Sequence, residues 1–180
     1  MLNSILIWGG VAIVVLVGGV LAYASTKPDM FRLQRSAVID APPQAVFALL
    51  NDFRNWTAWS PWEKKDPNLK RTYGAATSGK GATYAWDGDK NVGKGSMLIT
   101  ESNPGSRVAL DLSFEKPFRA NNKVWFTLEP RGSATSVTWT MEGPTPLFAK
   151  VIHVFIDMDK MVGNDFEAGL AAMKAVAEKK

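Results

Sequence analysis

The stretch that decides the fold is DMDKMVGNDFEAGLAAMKAVAEKK, which runs from Asp157 to Lys180 at the end of the chain. Its apolar side chains recur at steps of three and four, which places them on one stripe of an α-helix. The stripe comprises Met158, Met161, Val162, Phe166, Leu170, Met173 and Ala177. About 20 helical residues measure roughly 30 Å, so this helix is long enough to cross a small domain.

The chain between Phe31 and Gly143 alternates like a series of short strands, apart from one helical segment after Asp40. Strands followed by one long amphipathic helix predict an α+β fold, in which a curved antiparallel sheet of six to seven strands wraps around the helix. Alternation also predicts which aromatic side chains share the concave face and look toward the helix. They are Trp86, Phe114, Phe126 and Trp139.

The N-terminal segment ILIWGGVAIVVLVGGVLAYA, residues 5–24, contains no charged side chain. A helix of about 20 apolar residues spans the ~30 Å hydrocarbon core of a bilayer. We therefore expect residues 1–26 to form a single-pass membrane anchor and residues 27–180 to form one ligand-binding domain. Lys27, Arg32 and Arg35 follow the span, which predicts a cytoplasmic domain by the positive-inside rule. The alternative is an exported protein, with a signal peptide cleaved after the small-x-small triplet that ends at Ala24.

Composition excludes several kinds of chemistry. The 180 residues contain no Cys, which excludes disulfides, thiolate metal sites and a Cys nucleophile. His153 is the single imidazole, so neither a zinc-hydrolase motif nor a Ser-His-Asp triad has the residues it needs. We predict no metal and no cofactor. The net charge of +4 is not gathered into a basic block, so we expect no nucleic-acid partner.

The densest aromatic cluster consists of Trp56, Trp59 and Trp62, three residues apart after the first domain helix. Two broken helical turns would bring the three indoles onto one face. The cluster is consistent with a plug over one end of the core. It is equally consistent with the lip of a ligand pocket, because such pockets are lined mainly by apolar and aromatic side chains.

Three stretches carry a resemblance to a known superfamily. They are APPQAVFALLNDFRNWTAWSPWEK (41–64), GATYAWDG with VGKGSMLITESNP (81–88 and 92–104), and DKMVGNDFEAGLAAMK (159–174). Together with the order of elements, they resemble the helix-grip fold of the SRPBCC (START-like) superfamily, and in particular its polyketide cyclase/dehydrase-type branch. The resemblance covers about residues 31–178. It implies a hydrophobic cavity between the sheet and the long helix.

These observations predict a membrane-anchored domain that binds an apolar or aromatic small molecule, or a lipid, in a connected cavity of ~300–1,000 Å³. The predicted ligand-binding residues are Trp59, Trp62, Tyr84, Trp86, Met97, Phe114, Phe126, Trp139, Met141, Met158, Met161 and Phe166. One alternative is an enzyme of cyclase or dehydratase type that uses Glu63, Glu101 or Asp165 as its acid or base. Another is a structural or partner-binding module at the membrane. The oligomeric state stays open.

Overall fold

The computed structural model describes the backbone of residues 2–179 and the side chains from Ile7 onward, and it confirms the predicted fold class. The helices are α1 Leu2–Ser25, α2 Pro43–Asn51, the one-turn α3 Trp56–Trp59, α4 Leu147–Phe155 and α5 Met158–Ala177. The strands are β1 Met30–Ile39, β2 Lys70–Tyr73, β3 Thr83–Asp87, β4 Lys94–Asn103, β5 Arg107–Lys116, β6 Ala120–Arg131 and β7 Ala134–Pro144. Two 3₁₀ turns, Phe53–Asn55 and Pro61–Lys64, flank α3.

The seven strands form one antiparallel sheet in the order β1-β7-β6-β5-β4-β3-β2. Each strand from β2 to β7 pairs with the next one in the chain, and β1 pairs with β7. At one end of the sheet Met30, which follows α1 closely, lies opposite Pro144. We call this the α1 end. At the other end Ile39 lies opposite Thr135, and α2 starts close by.

Alternation places the predicted side chains on the inner face of the sheet. Leu33 and Ile39 of β1 are buried, as are Phe126 and Trp139. The pattern breaks at Thr100, where a β-bulge shifts the register so that Glu101 lies opposite Ala109. Its parity with Met97 and Ile99 predicts that Glu101 points inward, and this prediction is wrong because the extra residue turns the side chain to the outer face. There its carboxylate accepts a hydrogen bond from Arg107 Nε at 3.0 Å.

Helix α5 begins with a cap, since the Asp157 side chain accepts a hydrogen bond from the backbone N–H of Lys160. Its buried stripe contains Phe166, Leu170 and Met173, as predicted. Met161 does not belong to that stripe and is 51% exposed. At 3.6 residues per turn Met161 lies roughly 140° around the helix from Phe166, on the side away from the stripe.

Helix α5 runs alongside β1 but covers only part of its length. Near the helix N-terminus, Arg35 of β1 bonds to Asp159 and Glu167, each at 2.9 Å. Gly163 permits this contact, because a Cβ there would collide with the Arg35 guanidinium. Since α5 begins level with Arg35, the first half of β1 extends past the helix. The inner face at the α1 end is thus left beyond the N-terminus of α5.

Helix α1 is long and apolar enough over Ile7–Ser25 to cross a bilayer, and little of that segment is buried in the protein. Its last turn packs against α4, and Ala24 is fully buried. The segment that joins α1 to β1 is also tied to α4. Asp29 O accepts a hydrogen bond from the Thr145 N–H at 2.7 Å, and Lys150 Nζ pairs with Asp29 Oδ1 at 2.6 Å.

Candidate functional site

An aromatic stack fills the middle of the space between sheet and helix. Trp139 and Phe166 lie face to face, with ring centroids 3.9 Å apart and an interplanar angle of 11°. Trp59 meets Trp139 edge-on at 5.6 Å, and Phe126 packs against Trp139 at 4.8 Å with its ring tilted by 35°. Each of the four side chains is at most 2% exposed. The predicted cavity would pass through this region. Packing at this density leaves no room there for a ligand.

Trp56 and Trp59 of the tryptophan cluster pack directly against the aromatic stack, where they fill the end of the core as a plug. Trp56 Nε1 donates to Leu50 O and Trp59 Nε1 donates to Leu49 O, both at 3.0 Å. These bonds satisfy the two indole N–H groups, which would otherwise be costly to bury. Trp62 lies at the edge, half-buried, with its ring 5.8 Å from that of Trp139.

Apolar side chains that are only half-buried remain on the inner face at the α1 end. They form a surface that we call the open groove, made of Phe31, Trp86, Met97, Leu112 and Phe114. Leu112 and Met97 are direct cross-strand neighbours. The indole of Trp86 lies across β4 and meets Phe114 edge-on at 5.7 Å. Gly95 makes this possible, because a Cβ at that position would lie 2.6 Å from the indole.

The floor of the open groove contains the polar side chain of Asn122, which is 8% exposed, between two apolar walls. Asn122 of β6 lies opposite Leu112 on one side, and its amide rests over Gly143 of β7. A Cβ at Gly143 would collide with the amide oxygen, so only a glycine there leaves room for the Asn122 side chain. Pockets for apolar ligands combine such walls with a few polar groups that fix orientation. The open groove has this composition.

A polar cluster made of Glu63, Arg71 and Tyr84 borders the groove. Glu63 Oε1 accepts from the Tyr84 hydroxyl and Oε2 accepts from Arg71 Nε, both at 2.6 Å. Burial, and then the hydrogen bond to Glu63, raises the pKa of Tyr84 far above its usual range. Tyr84 therefore stays a neutral donor at physiological pH. Both Glu63 oxygens are occupied, so this carboxylate holds the tyrosine in place rather than facing the groove.

The other two candidate carboxylates are also paired. Asp165 bonds to Lys65 Nζ at 2.7 Å, and Glu101 bonds to Arg107 on the outer face. A carboxylate that acts as an acid or base must reach the substrate proton. All three predicted acids are engaged by cations instead.

The structure divides the twelve predicted ligand-binding residues by accessibility. The buried ones are Trp59, Tyr84, Phe126, Trp139, Met141 and Phe166. The half-buried ones are Trp62, Trp86, Met97, Phe114 and Met158. Met161 is exposed, on the side of α5 away from the stripe. The structure brings Trp86, Met97 and Phe114 together in the open groove, and the buried group forms the packed interior behind it.

Sequence reasoning missed Phe31, Leu112 and Asn122 as site residues. Strand alternation does place Phe31 and Leu112 on the inner face, so the sequence contains the first half of the information needed. The other half is the position of α5 over the sheet, since it packs on β1 and not on β3–β5, where most of the uncovered inner residues lie. Two depressions, of about 340 and 390 Å³, both include Asp111 and Ser113 of β5. The first also includes Asn122 and Gly143, and the second includes Tyr84 and Met97.

A family model described as polyketide cyclase / dehydrase and lipid transport matches residues 30–178. A search of curated proteins finds no match to this chain.

Solved structures share the fold at low identity. CV1439 from Chromobacterium violaceum is 18% identical, with a TM-score of 0.60 over 86% of this chain and 100% of that one. The Aha1 dimer from Colwellia psychrerythraea is 15% identical, with a TM-score of 0.59 over 82% of this chain and 96% of that one. DynU16, a putative protein in the dynemicin biosynthetic locus, is 17% identical, with a TM-score of 0.57 over 85% of this chain and 48% of that one.

Proposed function

We propose that this chain binds an apolar small molecule or lipid in the open groove. It belongs to the polyketide cyclase / dehydrase and lipid transport family, because the family match covers residues 30–178. The observation that carries the proposal is the exposure of that groove. Trp86, Met97, Leu112 and Phe114 are half-buried on a face whose central residues, Phe126 and Trp139, are buried. A ligand that covers them would remove apolar surface from water, which contributes a favourable free energy of ~25 cal/mol per Å² of buried surface.

The chemistry of the groove favours an elongated amphiphile over a polar substrate. Its walls are aliphatic and aromatic, and Asn122 offers one amide that donates and accepts hydrogen bonds. A ligand with one apolar chain and a single carbonyl, hydroxyl or carboxyl group could pack against the walls and hydrogen-bond to the Asn122 amide. Few polar contacts predict modest selectivity, because orientation depends on one side chain.

The position of the groove favours a ligand taken from a membrane. The groove lies at the α1 end, and α1 is the helix that our proposal places across the bilayer as a single-pass anchor, with the domain beginning at residue 27. A lipid would then reach the groove without crossing the packed end of the sheet, where Ile39 and Thr135 are fully buried.

The cyclase or dehydratase alternative finds less support in the geometry. Glu63, Glu101 and Asp165 are each bonded to a cation, and Glu101 faces away from the groove. Binding and carriage need only the apolar surface. We therefore propose binding as the function.

Two adjacent positions of β4 provide a matched test. Met97 lies in the groove, and Leu98 lies on the outer face, 39% exposed. Met97→Trp should fill the groove, and Leu98→Trp should leave it unchanged. The full chain and both variants are purified in the same detergent, and mass spectrometry quantifies co-purifying apolar molecules per protein.

We expect the Met97→Trp variant to lose at least one class of molecule that wild type and Leu98→Trp retain. Lipid bound by α1 should be present in equal amounts in all three samples, so it does not affect the comparison between them. Equal amounts of every apolar molecule in the three samples would overturn the proposal.

A further inference from the structure

A second apolar surface lies outside the groove, on α4 and the β5–β6 loop. Its members are large hydrophobic side chains that are 44–72% exposed: Phe118, Leu147, Phe148, Phe155 and Ile156. Single exposed apolar residues are ordinary, but a contiguous group marks an interaction surface. We call this group the α4 patch.

The α4 patch is continuous across two elements. The rings of Phe118, in the β5–β6 loop, and Phe148, in α4, meet edge-on with centroids 4.9 Å apart. The aromatic contact holds the loop against the helix. The patch is therefore one surface at the α1 end of the sheet, rather than two unrelated exposures.

The patch also continues the exposed apolar surface of α1. The last turn of α1 packs on α4, with Ala24 fully buried, and the buried Lys150 of α4 pairs with Asp29 after α1. At the end of α1, Lys27 Nζ donates to the Tyr23 hydroxyl at 2.9 Å. Tyr and Lys are typical anchors at the boundary between hydrocarbon and water. Helix α4 lies beside this boundary.

The charges around the α4 patch suit a lipid surface. Lys116 and Arg119 flank Phe118, and both are exposed. Of the nearby acidic side chains, Glu115 is paired with Lys94 and Asp157 accepts the Lys160 N–H as the cap of α5. Within α4 the ionisable side chains are Lys150, which is buried, and His153, whose pKa burial lowers. The helix thus presents apolar residues, while basic residues stand at the edge of the patch, where anionic headgroups attract them.

We propose that the α4 patch inserts into the interfacial layer of the bilayer that α1 spans, so that the open groove faces the membrane surface. A second copy of the chain or a partner protein is the competing occupant. Lipid is favoured because the patch shares its apolar surface with α1 and has basic flanks. The inference rests on the proposed function only in taking α1 as the membrane span.

The absence of Cys from the sequence permits a clean depth measurement on the full chain in liposomes that contain anionic lipid. Spin labels are attached to single-cysteine variants Phe118→Cys, Phe148→Cys and Phe155→Cys. Val14→Cys in α1 is the reference for the bilayer interior. Ser133→Cys, in the exposed β6–β7 turn at the opposite end of the sheet, is the aqueous control.

At positions 118, 148 and 155 we expect oxygen, which concentrates in lipid, to relax the label more than a water-soluble nickel chelate does. Position 133 should show the reverse. If position 14 reports lipid while the three patch positions report water, the inference is overturned and the anchor survives. Patch labels shielded from both reagents would identify a protein partner and overturn it as well. A label at position 14 that reports water would overturn the anchor itself.

Discussion

At the scale of single residues, Phe166 decides whether the interior is packed or hollow. It is 1% exposed and stacks on Trp139 at 3.9 Å. Phe166→Ala should therefore lower the free energy of unfolding by about 3–5 kcal/mol, the cost of a well-packed aromatic. Met161→Ala, on the exposed side of the same helix, should change it by less than about 0.5 kcal/mol. Urea titrations of the two variants test this, and a loss under about 1.5 kcal/mol for Phe166→Ala would indicate a void.

Single residues also show where sequence reasoning stops. Strand parity correctly placed Phe126 and Trp139 on the inner face, because side chains alternate with a period of two. Parity failed at Glu101, because one bulged residue at Thr100 reverses every side chain up to the strand end. It also left Asn122 unnoticed, since the importance of that amide depends on Gly143 in the neighbouring strand.

At the scale of elements, the contact between α5 and β1 fixes where the helix lies. A Cβ at Gly163 would collide with Arg35, whose guanidinium bonds to Asp159 and Glu167. Gly163→Ala should destabilise the protein, although alanine favours helix by about 1 kcal/mol over glycine.

In an Arg35→Ala background the collision is absent. The same Gly163→Ala change should then stabilise the protein, by up to about 1 kcal/mol. A double-mutant cycle measured by thermal unfolding tests the reversal of sign. If Gly163→Ala has the same effect in both backgrounds, Arg35 does not hold the helix.

This contact explains why the elements were predictable and the site was not. The period of the apolar stripe predicts a helix and the face it buries, but it contains no information about axial position. That position depends on Arg35 and on the bond from Lys174 Nζ to Val38 O at 2.8 Å. Both are contacts between residues far apart in sequence. Helix α5 packs mainly on β1, α2, α3 and the Pro61–Lys64 turn, and the open groove lies chiefly on β3–β5, away from these contacts.

At the scale of the whole molecule, we expect α1 to hold the protein in the membrane. The full chain should remain in the membrane pellet after alkaline carbonate extraction, because about 20 apolar residues insert with all backbone polar groups satisfied. N-terminal sequencing of the mature protein distinguishes an anchor from a signal peptide. A chain that begins at Ser25 would contradict the anchor and leave an exported domain.

We expect the domain to hold an apolar ligand in the open groove at its α1 end. Photo-crosslinking tests it directly. The full chain is reconstituted in liposomes that contain a fatty acid with a diazirine near the end of its chain, irradiated, digested and mapped by mass spectrometry. We predict crosslinks on the inner face of β4 and β5, at Met97 and Leu112, that Met97→Trp reduces and Leu98→Trp does not. Crosslinks confined to α1 and α4, with none in β4 or β5, would contradict the claim.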